Sequence, residues 1–101
     1  GSIAIGTGAG YAMQGNSAVA IGVQTGATSQ GSYAVAIGSN AGNLNQADNS
    51  TILNATGSVL NQTTANTFTV KPVRNGGSGG LPAGFYQMAY NPTTGEIVYY
   101  T

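Results

Sequence analysis

The 101-residue sequence predicts an all-β fold: a parallel β-roll or solenoid of short stacked coils over residues 1–60, then a hairpin-rich β segment over 61–101. Three observations predict it. A motif of Ala-Ile-Gly returns at a step of sixteen residues, at Ala4-Ile5-Gly6, Ala20-Ile21-Gly22 and Ala36-Ile37-Gly38. The residues around each motif alternate along the chain, as a strand does. Past residue 56 the repeat gives way to β-branched and aromatic alternation, again a strand signal.

The repeat extends over many columns, so it specifies an architecture and not a local motif. Gly10, Gly26 and Gly42 align, as do Gln14, Gln30 and Gln46, while Gly15 and Gly31 are followed in register by Ala47. A fourth, degraded copy sets Ile52, Leu53 and Asn54 where the others carry Ala-Ile-Gly. Sixteen residues are too few for a helical hairpin, and the Gly, Ser and Asn content disfavours helix.

In Ser17-Ala18-Val19-Ala20-Ile21-Gly22, alternation sends Val19 and Ile21 to one face and Ala18 and Ala20 to the other. Both faces are apolar, one large and one small. The expectation is that Val and Ile fill the coil interior while Ala lets a neighbouring chain approach. Glycines at 6, 15, 22, 31 and 38 divide each repeat into nine plus seven, which predicts two short strands per coil, turned at Gly and polar residues that tolerate positive φ. Coils stacked in parallel lie about 4.8 Å apart, so Gln14, Gln30 and Gln46 should form a ladder. Gly6, Gly22, Gly38, Ile5, Ile21 and Ile37 are read as the structural residues of the repeat.

Composition explains why such a stack needs a partner. Leu, Ile, Val and Phe number only 19, and 17 glycines raise the backbone entropy that folding must overcome. Charge repulsion does not keep the chain open, because Lys71 and Arg74 offset Asp48 and Glu96. The surface is wetted instead by 36 Ser, Thr, Asn and Gln residues. Small chains that bury too little surface rely on disulfides, metals or oligomerisation. With no Cys and no His, oligomerisation is the device left. No apolar run reaches membrane-spanning length and no signal peptide is visible, so no membrane insertion is expected. Gly1-Ser2 reads as a cloning remnant, and the mid-repeat start at Ile3 as the edge of a fragment.

In the second half, residues 67–74 (Thr-Phe-Thr-Val-Lys-Pro-Val-Arg) predict a strand that Pro72 confines to an edge or irregular position. Residues 75–80 (Asn-Gly-Gly-Ser-Gly-Gly) predict a loop. Residues 85–90 and 96–100 flank Asn91-Pro92-Thr93-Thr94-Gly95, a hairpin in which Pro92 presets a turn φ and Gly95 supplies the positive φ that closes it.

The chemistry available is sparse. Without His or Cys, catalysis would fall to Asp48, Glu96, Lys71, Arg74 or hydroxyls. Asp48 and Glu96 lie in different segments, where a glycosidase needs paired carboxylates. Asp48 reads as bonding local backbone, and Glu96 as a solvated strand residue. Two cations per chain do not supply the phosphate contacts of nucleic-acid binding; Lys71 and Arg74 read as blunting an exposed edge or pairing with Glu96 of a neighbour. The Gly-rich loop lacks the Lys-Ser/Thr and helix of a phosphate loop. No catalytic residue, metal site or cofactor is expected. Aromatics are the remaining candidates for stacking on a receptor: Tyr11 and Tyr33 at turn-adjacent positions, and Tyr86, Tyr90, Tyr99 and Tyr100 in the hairpin, with Phe68 and Phe85. For the hairpin tyrosines, packing around a trimer axis or between strands is favoured.

Two resemblances sharpen this reading. Residues 3 to about 56, through Ser17-Ala18-Val19-Ala20-Ile21-Gly22 and Tyr33-Ala34-Val35-Ala36-Ile37-Gly38, resemble the head repeats of trimeric autotransporter adhesins, although many such heads use a shorter step. The resemblance implies a left-handed parallel β-roll and a homotrimer. Residues 70–75 and 88–99 resemble the segment preceding the endosialidase-type intramolecular chaperone of phage and large-DNA-virus fibres. That resemblance implies a trimeric stalk followed by a self-cleaving chaperone that would begin near Thr101, so the chain end fits either maturation cleavage or the boundary of a fragment.

Together they lead to the expectation of a homotrimeric structural fibre segment on a virion surface or otherwise extracellular, with residues 61–101 an intertwined β-prism-like tip or collar. It would support host attachment through a cell-surface glycan or protein. A bacterial trimeric adhesin head is the near variant, although no heptads appear. A monomeric carbohydrate- or ice-binding solenoid is an alternative of another class; against ice binding, Thr25 and Thr28 align with Ala9, Ala12, Ala41 and Leu44 instead of forming a Thr rank. An acid-cleft fibre lyase or hydrolase is a third class.

Overall fold

The computed structural model describes residues 1–99 and contains only strands, turns and loops. Seven strands form one sheet: β1 (Ile3–Ile5), β2 (Val19–Ile21), β3 (Val35–Ile37), β4 (Thr51–Asn54), β5 (Phe68–Lys71), β6 (Ala89–Tyr90) and β7 (Glu96–Val98). The order across the sheet is β1-β2-β3-β4-β5-β7-β6. The first five strands are parallel, one per coil, giving a β-solenoid of about four turns.

The sequence repeat is the structural register. Ile3 pairs with Val19 and Val19 with Val35, while Ile5, Ile21 and Ile37 lie side by side. The degraded fourth copy keeps the alignment, Ile52 beside Ala36 and Leu53 beside Ile37. β5 then stacks on β4 with Phe68 beside Thr51, so the parallel sheet runs unbroken past residue 60. β7 turns the sheet antiparallel by pairing with β5, and β6 closes the hairpin on β7.

Glycine meets two different demands here. Gly22 has φ +129, and a Cβ on it would sit 2.7 Å from Thr25 Oγ1 and 2.8 Å from the carbonyl carbon of Gly38. Gly15 and Gly31 do not have positive φ; they are needed because the next coil's backbone lies where a Cβ would be, 2.5 Å from the Asp48 nitrogen in the case of Gly31. The left-handed corner that follows is carried by Ser17, Tyr33 and Asn49, at φ 57, 59 and 54.

The coil interior corrects one expectation. Ala18, Ala20, Ala34 and Ala36 are fully buried, whereas Val19, Ile21 and Val35 are only half-buried and Ile37 is exposed. Ala therefore faces inward and Val/Ile outward, the reverse of the assignment drawn from residue size. Beside β2 and β3 the interior leaves room for little more than methyl groups. It is filled by methyl groups, by Ile52 and Leu60 toward its far end, and by the polar side chains of Thr25, Gln30, Gln46, Ser50, Asn54 and Thr69. Each ladder glutamine spans the coil to donate to a strand carbonyl: Gln14 Nε2 to Ile3 O at 2.7 Å, Gln30 to Val19 O at 2.8 Å, and Gln46 to Val35 O at 3.1 Å. These bonds make burial of the amides tolerable.

Three smaller corrections follow. The second strand of each coil reduces to single bridges, Ala12 with Thr28 and Thr28 with Leu44. Left-handed residues Met13, Ser29 and Asn45 follow immediately and stop the pairing from extending. The strand expected over 67–74 spans Phe68–Lys71 and ends before Pro72, which has no N–H for the ladder. Asp48 serves the neighbouring coil and not its own turn, its Oδ1 accepting from the Ser32 amide at 2.8 Å.

Candidate functional site

Because the small residues take the interior, the large ones are displayed. On β1 to β5 two outward rows run across the strands, Ile3-Val19-Val35-Thr51-Phe68 and Ile5-Ile21-Ile37-Leu53-Val70. Nine of these ten residues are apolar, and the rows cross five rungs spaced about 4.8 Å apart, a strip about 20 Å long. Ile5 is 59 % exposed and Ile37 40 %, and Ile3, Leu53 and Phe68 are exposed with them. The chain exposes 6126 Å² in total. A compact monomer of this mass would expose about 5200 Å². A strip of this length and regularity, with one threonine as its polar member, is an unpartnered apolar face.

The hairpin end is tied to the solenoid by polar contacts. Lys71 Nζ donates to the Thr93 carbonyl at 2.7 Å, so this cation clasps the hairpin turn of its own chain. Tyr90 Oη donates to Val70 O at 2.8 Å, and Gln62 Nε2 donates to Thr69 Oγ1 at 3.1 Å and to Glu96 Oε2 at 3.4 Å. The turn forms as the sequence predicts: Asn91 Oδ1 accepts from Thr93 and Thr94 amides, and Gly95, at φ +80, donates its N–H to Asn91 O at 2.7 Å. The loop ahead of β6 exposes Val73, Leu81, Phe85, Tyr86 and Met88, and with Tyr90 they line an open hollow of about 400 Å³.

The residues singled out from sequence fall into two groups. Gly6, Gly22 and Gly38, Ile5, Ile21 and Ile37, and Gln14, Gln30 and Gln46 are each brought together as columns of adjacent coils. The tyrosines are not gathered into one site. Tyr11 is 84 % and Tyr86 94 % exposed, Tyr33 and Tyr99 are exposed as well, and Tyr90 is half-buried under its bond to Val70. Tyr11 and Tyr33 occupy different columns of the repeat, so stacking of coils does not align them. Tyr100 lies outside the described residues. The outward roles of Val19, Val35, Leu53, Phe68 and Val70 were missed because alternation leaves two apolar faces and does not say which is inside. The signal that resolves them is the closure of a sixteen-residue coil, which takes the small face of β2 and β3 inward.

Among the described residues no group of three His, Cys, Asp or Glu side chains is placed to hold a metal, and no helix is long and apolar enough to cross a membrane. Comparison with family models, with curated proteins and with solved structures returned no match.

Proposed function

We propose that this chain is a structural segment of a homotrimeric surface fibre of a virus or phage, providing length and rigidity for host attachment from a virion surface or another extracellular position. The observation that carries the reading is the outward strip of Ile3, Ile5, Ile21, Ile37, Leu53 and Phe68 with its neighbours on a chain whose own core is mostly alanine. Exposed apolar area of this extent is stabilising only when another surface covers it. Three copies related by a threefold axis along the coil stack would bring three strips face to face. The left-handed hand of the coil and an intertwined β-prism-like arrangement of the hairpin end belong to the same reading. The role is architectural and not catalytic, and attachment would engage a host glycan or protein through exposed aromatics such as Tyr11 and Tyr33.

Solution mass by light scattering tests the assembly. A mass three times that of the chain is expected, with Ile21→Asp and Ile37→Asp lowering it. A folded monomer at micromolar concentration would overturn the reading and bring a monomeric binding solenoid forward.

A further inference from the structure

Asn75 is the one asparagine of ten that is followed by glycine. The others precede Ser, Ala, Leu, Gln, Thr or Pro. Asn75, Gly76 and Gly77 are all exposed, in the loop between β5 and β6. The Asn75 side chain is already folded back on its own backbone, Oδ1 accepting from the Gly77 amide at 2.8 Å. The Gly76 N–H has no partner among the described residues, and a Cβ on Gly77 would meet nothing within 4 Å. After three of the other nine asparagines the backbone nitrogen is engaged, the Ala41 amide donating to Gly38 O, Leu44 to Asn61 Oδ1 and Ala55 to Lys71 O, and Pro92 has no N–H at all; the remaining five carry a side chain where Gly76 has none.

We infer that Asn75-Gly76 is a site of spontaneous deamidation, a covalent modification site whose only co-reactant is water. The Gly76 nitrogen gives its proton to solvent base and attacks Asn75 Cγ. The Cγ–Nδ2 bond breaks, and Nδ2 leaves with a proton as ammonia, forming a cyclic imide. Water opens the imide at the former side-chain carbonyl to give aspartate, or at the main-chain carbonyl to give isoaspartate. One ammonia is lost and one water gained, with no change of oxidation state. Glycine permits the attack because no Cβ restricts the backbone swing that brings nitrogen onto Cγ.

The product matters for so sparsely charged a chain. Its formal net charge is zero, carried by two cations and two carboxylates. Deamidation adds a carboxylate beside Arg74, one of the two cations, and isoaspartate also lengthens the loop backbone by a methylene. The loop that displays Leu81, Phe85 and Tyr86 thereby acquires an age-dependent charge and path, whatever the assembly state.

The test is incubation of the intact protein at neutral and mildly alkaline pH, followed by mass spectrometry of chymotryptic fragments and methylation of isoaspartate by isoaspartyl methyltransferase. Residue 75 should gain about 1 Da about tenfold faster than any other asparagine, because only it has the glycine neighbour, and faster at the higher pH. Asn75→Gln should abolish the fast phase. Conversion of Asn75 no faster than that of Asn16 or Asn43, under conditions where a free peptide of residues 72–79 converts, would overturn the inference, as would a fast phase that persists in Asn75→Gln.

Discussion

Gln30 Nε2 donates to Oε1 of Gln46, sixteen residues further on, at 3.1 Å inside the solenoid. The same Nε2 reaches Val19 O, so one side chain ties its own coil to its strand and to the next coil. Gln14 directs its Nε2 to Ile3 O and Ala18 O, and Gln30 Oε1 receives no donor. The ladder is thus strongest between the second and third coils. Replacing Gln46 by Ala removes its bonds to Val35 O and Ser50 O and opens a void, with an expected loss of about 2–3 kcal/mol. Gln14→Ala, at a half-exposed position, should lose less. Urea midpoints at matched protein concentration check the order.

Glycine substitutions separate close packing from backbone conformation. Gly22→Ala forces a methyl into Thr25 Oγ1 and the Gly38 backbone at φ +129 and should lose more than about 2 kcal/mol. Gly57 has φ +78 with open space around it, so Gly57→Ala should lose only about 1 kcal/mol, the cost of left-handed backbone. Equal effects in thermal or urea unfolding would contradict the stacked-coil account of Gly22.

Tyr33 holds φ +59 at the corner where the other coils use Ser17 and Asn49, and its ring is 66 % exposed. An aromatic residue in the left-handed region is unfavourable where asparagine is tolerated. Tyr33→Asn should therefore stabilise the folded chain by about 1 kcal/mol. A loss of stability, or of assembly measured as solution mass, would instead assign the ring a contact with a neighbouring chain.

The inside and outside of the coil predict opposite sensitivities. Ala20 is fully buried against coil neighbours, so Ala20→Leu should overpack the bore and lose about 1–3 kcal/mol or prevent folding. Ile21, its neighbour on the outward row, should accept Thr with the β circular dichroism signal intact, its effect being on self-association. If Ala20→Leu is tolerated while Ile21→Thr unfolds the chain, the assignment of faces is wrong.

Much of this fold could be read from sequence because a stacked coil translates periodicity directly into register. The step from Ile5 to Ile21 to Ile37 is the pairing itself, and the Gln column is the ladder. The hairpin was equally open to reading, since Asn91 and Gly95 carry its turn chemistry within five residues. The sidedness of the strands was not, because the rule that large apolar residues go inside assumes an interior large enough to hold them. Ala18 and Ala20 show that here closure geometry decides, a property of the whole coil that no single strand records. The role of Lys71 was hidden for a different reason: its partner, Thr93 O, is a backbone carbonyl twenty-two residues away with no side-chain signature.

The register also predicts that coils are removable. Residue 18 precedes Val19 as residue 34 precedes Val35, and both strands pair with their neighbours in the same sixteen-residue offset. Deleting residues 19–34 joins Ala18 to Val35 in the conformation that Ala34 already has, with Ala18 and Ala34 both fully buried. Gln14 then takes the place of Gln30 against Gln46. In a stack, stability is roughly a sum over units and nearest-neighbour interfaces, so one fewer coil should lower stability without changing the fold. The expected result is an unchanged shape of the β circular dichroism spectrum, a lower thermal midpoint and a smaller denaturant slope in proportion to the surface removed. A deletion of eight residues, 19–26, breaks the register and exchanges strand for turn, and should yield an unfolded chain. If both deletions unfold the protein, the coils are not independent units and the β4–β5 junction or the hairpin must hold the first three in place.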